Sequence, residues 1–331
     1  MHIADGLLST DICIATGAVA ATAVGFSLYK LRDSLADRIV PLTGMVSALI
    51  FAGQMVNFPL GVPVSGHLLG GVLAAIIVGP WAGCIALTLV LLVQCFLFTD
   101  GGITTLGANV LHMAVVGSIG GYAVYSAVRR LLGGDRRATV VATVVASWLS
   151  VMAAAALFCL EFGISWSASD YDMSRIFTLM VAFHSAIGVG EALITGGIVS
   201  FVLAQRPDLL YAPQGTASLP GGIGRFAAAG VVCALAVAAF LAPFASGHPD
   251  GLEAVAERTE FDNLAGAAGV TLLSDYQVPL PVVDWRESTV WEKLSVSLAG
   301  LLGTGAVLGI ALVLGRGIAP RSAAAESPHE Q

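Results

Sequence analysis

Charged residues are scarce in this chain: they make up 11% of its 331 residues, whereas hydrophobic residues make up 56%. Soluble domains carry roughly 25% charged residues, so this composition excludes an ordinary soluble domain. The formal net charge of −7 argues against binding to nucleic acid, because phosphates require a basic surface. The sequence therefore predicts an all-α, polytopic integral membrane protein with the lipid bilayer as its surroundings.

Several motifs of catalysis are also missing. No G-x-x-x-x-G-K-[ST] phosphate-binding loop occurs, so the chain has no such site for ATP hydrolysis. No H-E-x-x-H pattern occurs, which argues against a membrane metalloenzyme. The five cysteines stand singly in apolar segments without a C-x-x-C pair, and we interpret them as small buried hydrophobic residues. We expect no catalytic residues and no bound cofactor.

Apolar stretches long enough to cross a bilayer predict about nine helices. They lie near 12–29, 40–58, 67–80, 82–99, 109–128, 138–160, 176–204, 226–246 and 292–315. The third stretch is short and rich in glycine, so we expect it to be tilted or broken among its neighbours. With an extracytoplasmic N-terminus, eleven of the 15 Lys and Arg residues fall in cytoplasmic loops, as the positive-inside rule requires. The predicted location is the cell membrane.

The Pro- and Gly-rich segment 205–224 interrupts the apolar pattern and predicts a cytoplasmic linker. It would separate a seven-helix unit, residues 1–204, from a hairpin-like two-helix unit, residues 225–316. The polar tail 317–331 is expected to be disordered. No internal repeat is evident, which weakens the alternative of a proton-coupled secondary transporter of divalent transition metals.

Met1 and His2 can chelate a metal ion without help from any fold. The α-amine, the backbone nitrogen of His2 and its imidazole can close a five-membered and then a six-membered ring around one cation. Nitrogen donors in a plane suit Ni(II), Cu(II) or Co(II) rather than Zn(II) or Mg(II). His67 is the natural candidate for a fourth donor. We expect Met1 to be retained, because a bulky second residue hinders its removal.

Other polar residues lie within or beside the predicted spans. Gln54 and Asn57 end the second span near the loop that carries His67, and we interpret them as orienting that loop, since amides are poor ligands for a nitrogen-preferring metal.

Glu191 is the one carboxylate that these spans place in mid-membrane, which makes it a functional candidate. His184 lies two helical turns before it on a similar face. The pair can relay protons or hold helices together as a neutral or hydrogen-bonded pair, and we favour the second.

The outer segment 247–291 is rich in carboxylates. It can remain a solvated loop, cover the metal site or attract a hydrated cation toward it. Pro249 and Gly251 favour a turn there, and Asp250 is expected to cap it.

Five sequence blocks together resemble a known family. Four of them, which resemble the CbiM/NikM family, are MHIADG (1–6), NFPLGVPVSGHLLGG (57–71), TDGGITTLGANVLHM (99–113) and HSAIGVGEALITG (184–196). The fifth, HPDGLE (248–253) followed by SDYQVP (274–279), resembles the small CbiN/NikN (PDGLE) companion subunit, fused here into the same chain. The CbiM/NikM family comprises the substrate-binding (S) components of energy-coupling-factor transporters for cobalt and nickel.

The resemblance implies a function, a site and partners. The chain would bind Co(II) or Ni(II), as transported ligand, in a near-planar nitrogen site formed by Met1, His2 and His67. Asn109 would form a hydrogen bond behind that site. A CbiQ/NikQ-like coupling transmembrane subunit and CbiO/NikO-like cytoplasmic ATPases would supply the energy. The residues do not separate cobalt from nickel, with a slight preference for cobalt from the block at 57–71.

His112 departs from the family pattern, in which a small polar residue is usual at this position. It is either a transient ligand or a hydrogen-bonded helix residue, and we favour the second.

Overall fold

The computed structural model describes residues 2–32, 39–211, 223–266, 272–278 and 289–318. These residues form a helical protein with a single two-residue β pairing, between β1 (Phe58–Pro59) and antiparallel β2 (Ser65–Gly66). The α-helices of the described residues are α1 (Thr10–Arg32), α2 (Ile39–Gln54), α3 (Gly71–Val78), α4 (Pro80–Val93), α5 (Leu106–Asn109), α6 (Gly121–Leu131), α7 (Arg136–Ser165), α8 (Met173–Gln205), α9 (Ile223–Ala236), α10 (Gly251–Thr259) and α11 (Thr289–Ile318).

Three π-helical segments extend or join these helices. Gln94–Phe98 continues α4, Val110–Gly120 joins α5 to α6, and Val237–Leu241 continues α9. Short 3-10 turns complete the described secondary structure at Pro207–Leu209, Ala242–Phe244, Asp262–Leu264 and Ser274–Tyr276. Helical turns of the π type are rare and occur often at functional sites.

Among the described residues, seven helical segments are long and apolar enough to cross a membrane. They are Thr10–Arg32, Pro80–Phe98, Leu106–Leu131, Arg136–Ser165, Met173–Gln205, Ile223–Phe244 and Val290–Gly317. The other two predicted spans correspond to the shorter helices α2 and α3. The chain is therefore an all-α integral membrane protein, as predicted. Where nine spans were predicted, the described residues form seven long helices and two shorter ones.

The third predicted span, 67–80, is a broken segment. Only eight of its residues form the helix α3, and all eight are buried. Gly70 and Gly79, which flank α3, have φ angles of 80° and 91°, which favour glycine. A Cβ atom on Gly71 would lie 2.7 Å from the α-carbon of Gly117, so this short helix packs very closely against the π-helical segment.

The two C-terminal helices, α9 and α11, both pack against α2. Gly303 of α11 receives the ring of Phe51, and Gly230 of α9 receives the side chain of Met45. The predicted linker 205–224 is described up to Tyr211, whose backbone N–H donates to the carbonyl of Ile76 at 2.8 Å. Residues 212–222 of that linker, and residues 319–331 of the predicted tail, lie outside the described residues.

Candidate metal site

The N-terminal loop before α1 is fixed by backbone hydrogen bonds at Ile3. The N–H of Ile3 donates to Oδ1 of Asn109 at 2.8 Å, and Nδ2 of Asn109 donates to the carbonyl of Ile3 at 3.1 Å. The hydroxyl of Thr105 and the N–H of Gly102 donate to the same carbonyl. The side chain of Ile3 is also fully buried. Burial and hydrogen bonds together hold Ile3, the residue after His2, in one position.

Asp5 joins the N-terminal loop to the loop that precedes α5. Its carboxylate accepts the N–H groups of Ile103, at 3.1 Å, and Thr104, at 2.7 Å. Gly102 permits this contact, because a Cβ atom there would overlap the backbone nitrogen of Asp5. The carbonyl of Asp5 accepts the N–H of Gly266 at 2.7 Å, so the C-terminal part of the chain holds the same loop.

The imidazole of His2 lies between a carboxylate and an amide. Its Nδ1 is 3.1 Å from Oδ1 of Asp100, and its Nε2 is 3.1 Å from Oε1 of Gln94. The side chain is 8% exposed. Burial lowers the pKa of His2, although the charge of Asp100 opposes the shift. A neutral imidazole is the form that binds metals, and with its proton on Nε2, donated to Gln94, the nitrogen that can bind a cation is Nδ1.

The imidazole of His67 stacks on that of His2, with ring centroids 5.2 Å apart and an angle of 21° between the planes. Its Nδ1 is 3.0 Å from the carbonyl of Leu68, and its Nε2 is 3.8 Å from Oδ2 of Asp250. Burial lowers the pKa of His67 to about 3. With its proton on Nδ1, donated to the carbonyl of Leu68, the nitrogen of His67 that can bind a cation is Nε2. The two predicted histidine ligands are therefore adjacent, buried and next to carboxylates.

A chain of amides links the two histidines from behind. Nε2 of Gln94 donates to Oε1 of Gln54 at 2.9 Å, and Nε2 of Gln54 donates to the carbonyl of Leu69 at 2.8 Å. Gln54 thus contacts the loop that carries His67. The side chain of Gln94, which begins the π-helical segment after α4, is fully buried.

The segment 246–253 lies over the loop of His67. The N–H of Ser65 donates to the carbonyl of Pro249, and its hydroxyl donates to the carbonyl of His248, both at 2.8 Å. The carbonyl of Asn57 accepts the N–H of Ser246, also at 2.8 Å. Asn57 also lines a cavity that opens next to His2 and His67. Among the predicted site residues, Asn57 therefore contacts this covering segment through its backbone.

The expected cap at Asp250 is present. Its carboxylate accepts the N–H groups of Leu252 and Glu253 at the start of α10, and the carboxylate of Glu253 accepts the N–H of Asp250. This capping box fixes Asp250 beside His67. The negative charge of Asp250, together with burial, raises the pKa of Glu253 to about 7.

Tyr276 completes the surroundings of His2. Its hydroxyl donates to Oδ2 of Asp100 at 2.6 Å, and Nε2 of Gln94 lies 3.3 Å from the same hydroxyl.

A cavity of about 920 Å³ opens next to both histidines. Several carboxylates line it: Asp100, Asp250, Glu253, Glu257, Asp262, Asp275 and Glu292. Met1, whose amine is predicted to be a ligand, lies outside the described residues.

Glu191 and His184 do not form the predicted pair. The carboxylate of Glu191 accepts the N–H of Leu69 at 2.6 Å and that of Gly70 at 3.0 Å, so it holds the loop of His67 instead. Nδ1 of His184 lies 2.9 Å from the carbonyl of Met180, one turn earlier in α8. The predicted hydrogen bond between Glu191 and His184 was wrong. The backbone N–H groups that precede α3 have no partner within that helix, and they lie nearer to Glu191 than His184 does.

His112 faces another carboxylate. Its Nε2 lies 2.9 Å from Oε2 of Glu161, and both side chains are buried between the π-helical segment and α7. No contact of His112 with His2 or His67 is found among the described residues. Glu161 lies near the end of α7, which continues past residue 160, the predicted end of this span, and buries it.

Comparison with known proteins identifies the family. A sequence model described as "CbiM: Cobalt uptake substrate-specific transmembrane region" matches residues 2–209, which contain both stacked histidines. The chain belongs to the CbiM family. A second model, for the PDGLE domain, matches residues 224–320, which contain Asp250 and Tyr276.

The relatives of this CbiM-family chain are transport proteins. It is 35% identical over 316 residues to the "Putative fused nickel transport protein NikMN" of Archaeoglobus fulgidus, with 96% of this chain and 98% of that protein covered. It is 31% identical over 227 residues to the "Cobalt transport protein CbiM" of Sorangium cellulosum, covering 67% of this chain and 99% of that protein. A crystal structure of a transition metal transporter matches with a TM-score of 0.56 and 30% identity, covering 62% of this chain and 93% of that one. In such proteins the metal is a transported substrate.

Three residues next to the CbiM-family histidines were not found from the sequence: Gln94, Asp100 and Tyr276. Asp100 lies within the block 99–113 and Tyr276 within SDYQVP, so the family resemblance includes both residues without indicating their contacts. Gln94 carries a weaker signal, a lone amide in an otherwise apolar stretch, and polar residues inside a membrane are often functional.

Proposed function

We propose that this chain is the substrate-capture component of an ATP-driven energy-coupling-factor importer for nickel or cobalt. The observation that carries the proposal is the buried stack of His2 on His67, in which each ring has one nitrogen near a hydrogen-bond acceptor and the other near a carboxylate. The α-amine of Met1 and the backbone nitrogen of His2 would supply the other two donors. Four nitrogen donors in a near-planar arrangement suit Ni(II) and Co(II).

The chelate determines which nitrogen of His2 binds. A six-membered ring that includes the backbone nitrogen closes only through Nδ1, which lies next to Asp100 in this structure. Metal entry would therefore replace the Asp100 contact, while Nε2–H would keep its hydrogen bond to Gln94. When the metal leaves, the carboxylate of Asp100 would again be the partner of Nδ1.

We propose nickel as the preferred substrate. The A. fulgidus relative, which matches both regions of this chain over nearly its whole length, is named as a nickel transport protein. This full-length similarity outweighs our slight preference for cobalt, which rested on the block at 57–71 alone.

We propose that the site faces the extracytoplasmic side of the cell membrane. Asn109 and Arg129 lie on one continuous helical segment, Leu106–Leu131, and at the α-helical rise of 1.5 Å per residue they are at most about 30 Å apart. The arginine-rich loop that follows is thus at the membrane face opposite to His2, and such loops are typically cytoplasmic. CbiQ/NikQ-like and CbiO/NikO-like partners would couple this component to ATP hydrolysis.

The proton-coupled secondary transporter is the rival proposal, and it relied on a relay between His184 and Glu191. Those two residues have separate partners, which favours the capture component. Uptake of nickel into ATP-free vesicles by the chain alone would support the rival and refute our proposal.

Binding by the purified full-length chain tests the chelate. Insertion of one Ala between Met1 and His2 moves the imidazole out of the six-membered ring, so equilibrium dialysis should show nickel binding reduced by at least about a hundredfold. H67A should also weaken binding, whereas H248A, which removes an exposed imidazole near the same segment, should not. Undiminished binding by the insertion variant would disprove the coordination proposed here.

A further inference from the structure

A second cavity, of about 550 Å³, lies at the end of the helix bundle opposite to the two histidines. It is formed where α6 ends, α7 begins and the chain leaves α8. Of the described residues, three arginines line it, Arg129, Arg130 and Arg136, and one carboxylate, that of Asp135. The metal site described above does not use this cavity.

The charges in this cavity are unbalanced. Asp135 is engaged as the N-cap of α7, where its carboxylate accepts the N–H of Ala138 at 2.7 Å. Arg129 is held by the hydroxyl of Thr139 and the carbonyl of Gly134. Arg130 and Arg136 form no ion pair with any carboxylate in the described part of the chain. Two guanidinium groups are therefore available to a ligand that carries negative charge.

Tyrosine rings form the apolar wall of the cavity. Tyr122 lies 5.7 Å from Tyr125 and 5.6 Å from Tyr211, measured between ring centroids. Tyr211 is fixed in turn by its backbone bond to Ile76 and by packing on Gly79, where a Cβ atom would lie 2.7 Å from the ring. Rings of this kind, apolar in body and polar at the hydroxyl, are typical of the boundary between bilayer and water.

Exposed leucines adjoin the arginines. Leu131 is 85% exposed and Leu132 is 51% exposed, directly after Arg129 and Arg130. This end of α6 therefore exposes apolar and cationic side chains next to each other. A ligand that has both an anionic group and hydrocarbon satisfies both features, and a free phosphate satisfies only one.

We propose that this cavity binds the phosphodiester headgroup of an anionic phospholipid, with Arg130 and Arg136 on the phosphate and tyrosine hydroxyls on the remaining oxygens. Basic pockets between helices at this membrane face are suited to acidic lipids. The bound lipid connects the ends of α6, α7 and α8. The same chemistry could take up a soluble phosphate, and the experiment separates the two.

Native mass spectrometry of the full-length chain in detergent tests the proposal, with phosphatidylglycerol, phosphatidylcholine and inorganic phosphate as probes. Phosphatidylglycerol should be retained in preference to phosphatidylcholine, and inorganic phosphate should not displace it. The R130Q/R136Q variant should weaken phosphatidylglycerol retention by about tenfold. R137Q is the matched control, because Arg137 is an exposed neighbour on α7 that does not line the cavity, and it should retain the lipid.

Three results would overturn the proposal: equal retention of both lipids, equal loss in R137Q and in the double variant, or displacement by inorganic phosphate. If the double variant does not fold, Y211F replaces it, since this change removes one hydroxyl and keeps the ring that packs on Gly79. Y211F should retain less phosphatidylglycerol than the unmodified chain, and unchanged retention would count against the site. Nickel binding should stay unchanged in every variant, which separates this proposal from that of the metal site.

Discussion

The hydroxyl group of Tyr276 donates a hydrogen bond of 2.6 Å to the carboxylate of Asp100. The other oxygen of that carboxylate lies 3.1 Å from Nδ1 of His2. Tyr276 belongs to the region that matches the PDGLE domain, whereas Asp100 and His2 belong to the CbiM region. The fused domain therefore contributes directly to the surroundings of a proposed metal ligand.

Replacement of Tyr276 by Phe removes this hydrogen bond and keeps the ring, which stacks on Phe98 at 4.6 Å. We expect nickel affinity to fall by about tenfold, because groups behind a metal ligand typically contribute on that scale. Equilibrium dialysis of the purified variant measures the effect. Y29F, at an exposed tyrosine of α1, is the control and should bind nickel normally. Equal affinities of Y276F and the unmodified chain would show that Tyr276 has no part in the site.

Replacement of Gln94 by Leu removes the acceptor for Nε2–H of His2 and the donor to Gln54. We expect about tenfold weaker nickel binding, since the ring of His2 loses the bond that fixes its orientation. Isothermal titration calorimetry with nickel checks this. T88V changes a hydroxyl on the same helix that bonds only within that helix, and it should leave the affinity unchanged. A similar loss in T88V would point to a general effect on α4.

Replacement of Glu191 by Gln should destabilise the chain, because its carboxylate accepts two backbone N–H groups and an amide has only one acceptor oxygen. We expect a loss of about 1–3 kcal/mol in the free energy of unfolding. Nickel binding should weaken too, since Leu69 and Gly70 belong to the loop of His67. Thermal unfolding and dialysis measure the two effects. A proton relay predicts the opposite pattern: normal stability and binding with lost transport.

Replacement of Gly102 by Ala should displace the N-terminal loop, because the new Cβ atom would overlap the backbone of Asp5. We expect the variant to remain folded but to lose most of its nickel binding, since the loop positions His2. G25A adds the same methyl group to α1, where nothing lies within 4 Å, and should bind nickel as the unmodified chain does. Normal binding by G102A would mean that the loop geometry is not needed.

The long helices and the broken third span were predictable, because hydropathy and glycine content are local properties of the sequence. The Met1-His2 chelate is encoded in two consecutive residues, and the resemblance to the CbiM/NikM family predicted that His67 lies beside it. The helix ends were harder to place. Glu161 was left outside its span because the apolar run stops at residue 160, although α7 continues to Ser165.

The contacts around the site could not be derived from spacing. Gln94 contacts His2 across 92 positions of the chain, and Tyr276 contacts Asp100, the other partner of His2, across 176 positions. Such contacts depend on how several helices pack together. Glu191 shows the same limit: its helical face was predicted, but its partners are backbone N–H groups of a loop more than 120 residues away.

X-ray absorption spectroscopy of the nickel-loaded, full-length chain tests the central claim most directly. We predict four nitrogen donors around nickel, with the outer-shell scattering of two imidazole rings and no carboxylate oxygen among the ligands. An octahedral set of oxygen ligands, or scattering from a single imidazole, would contradict the shared His2–His67 site.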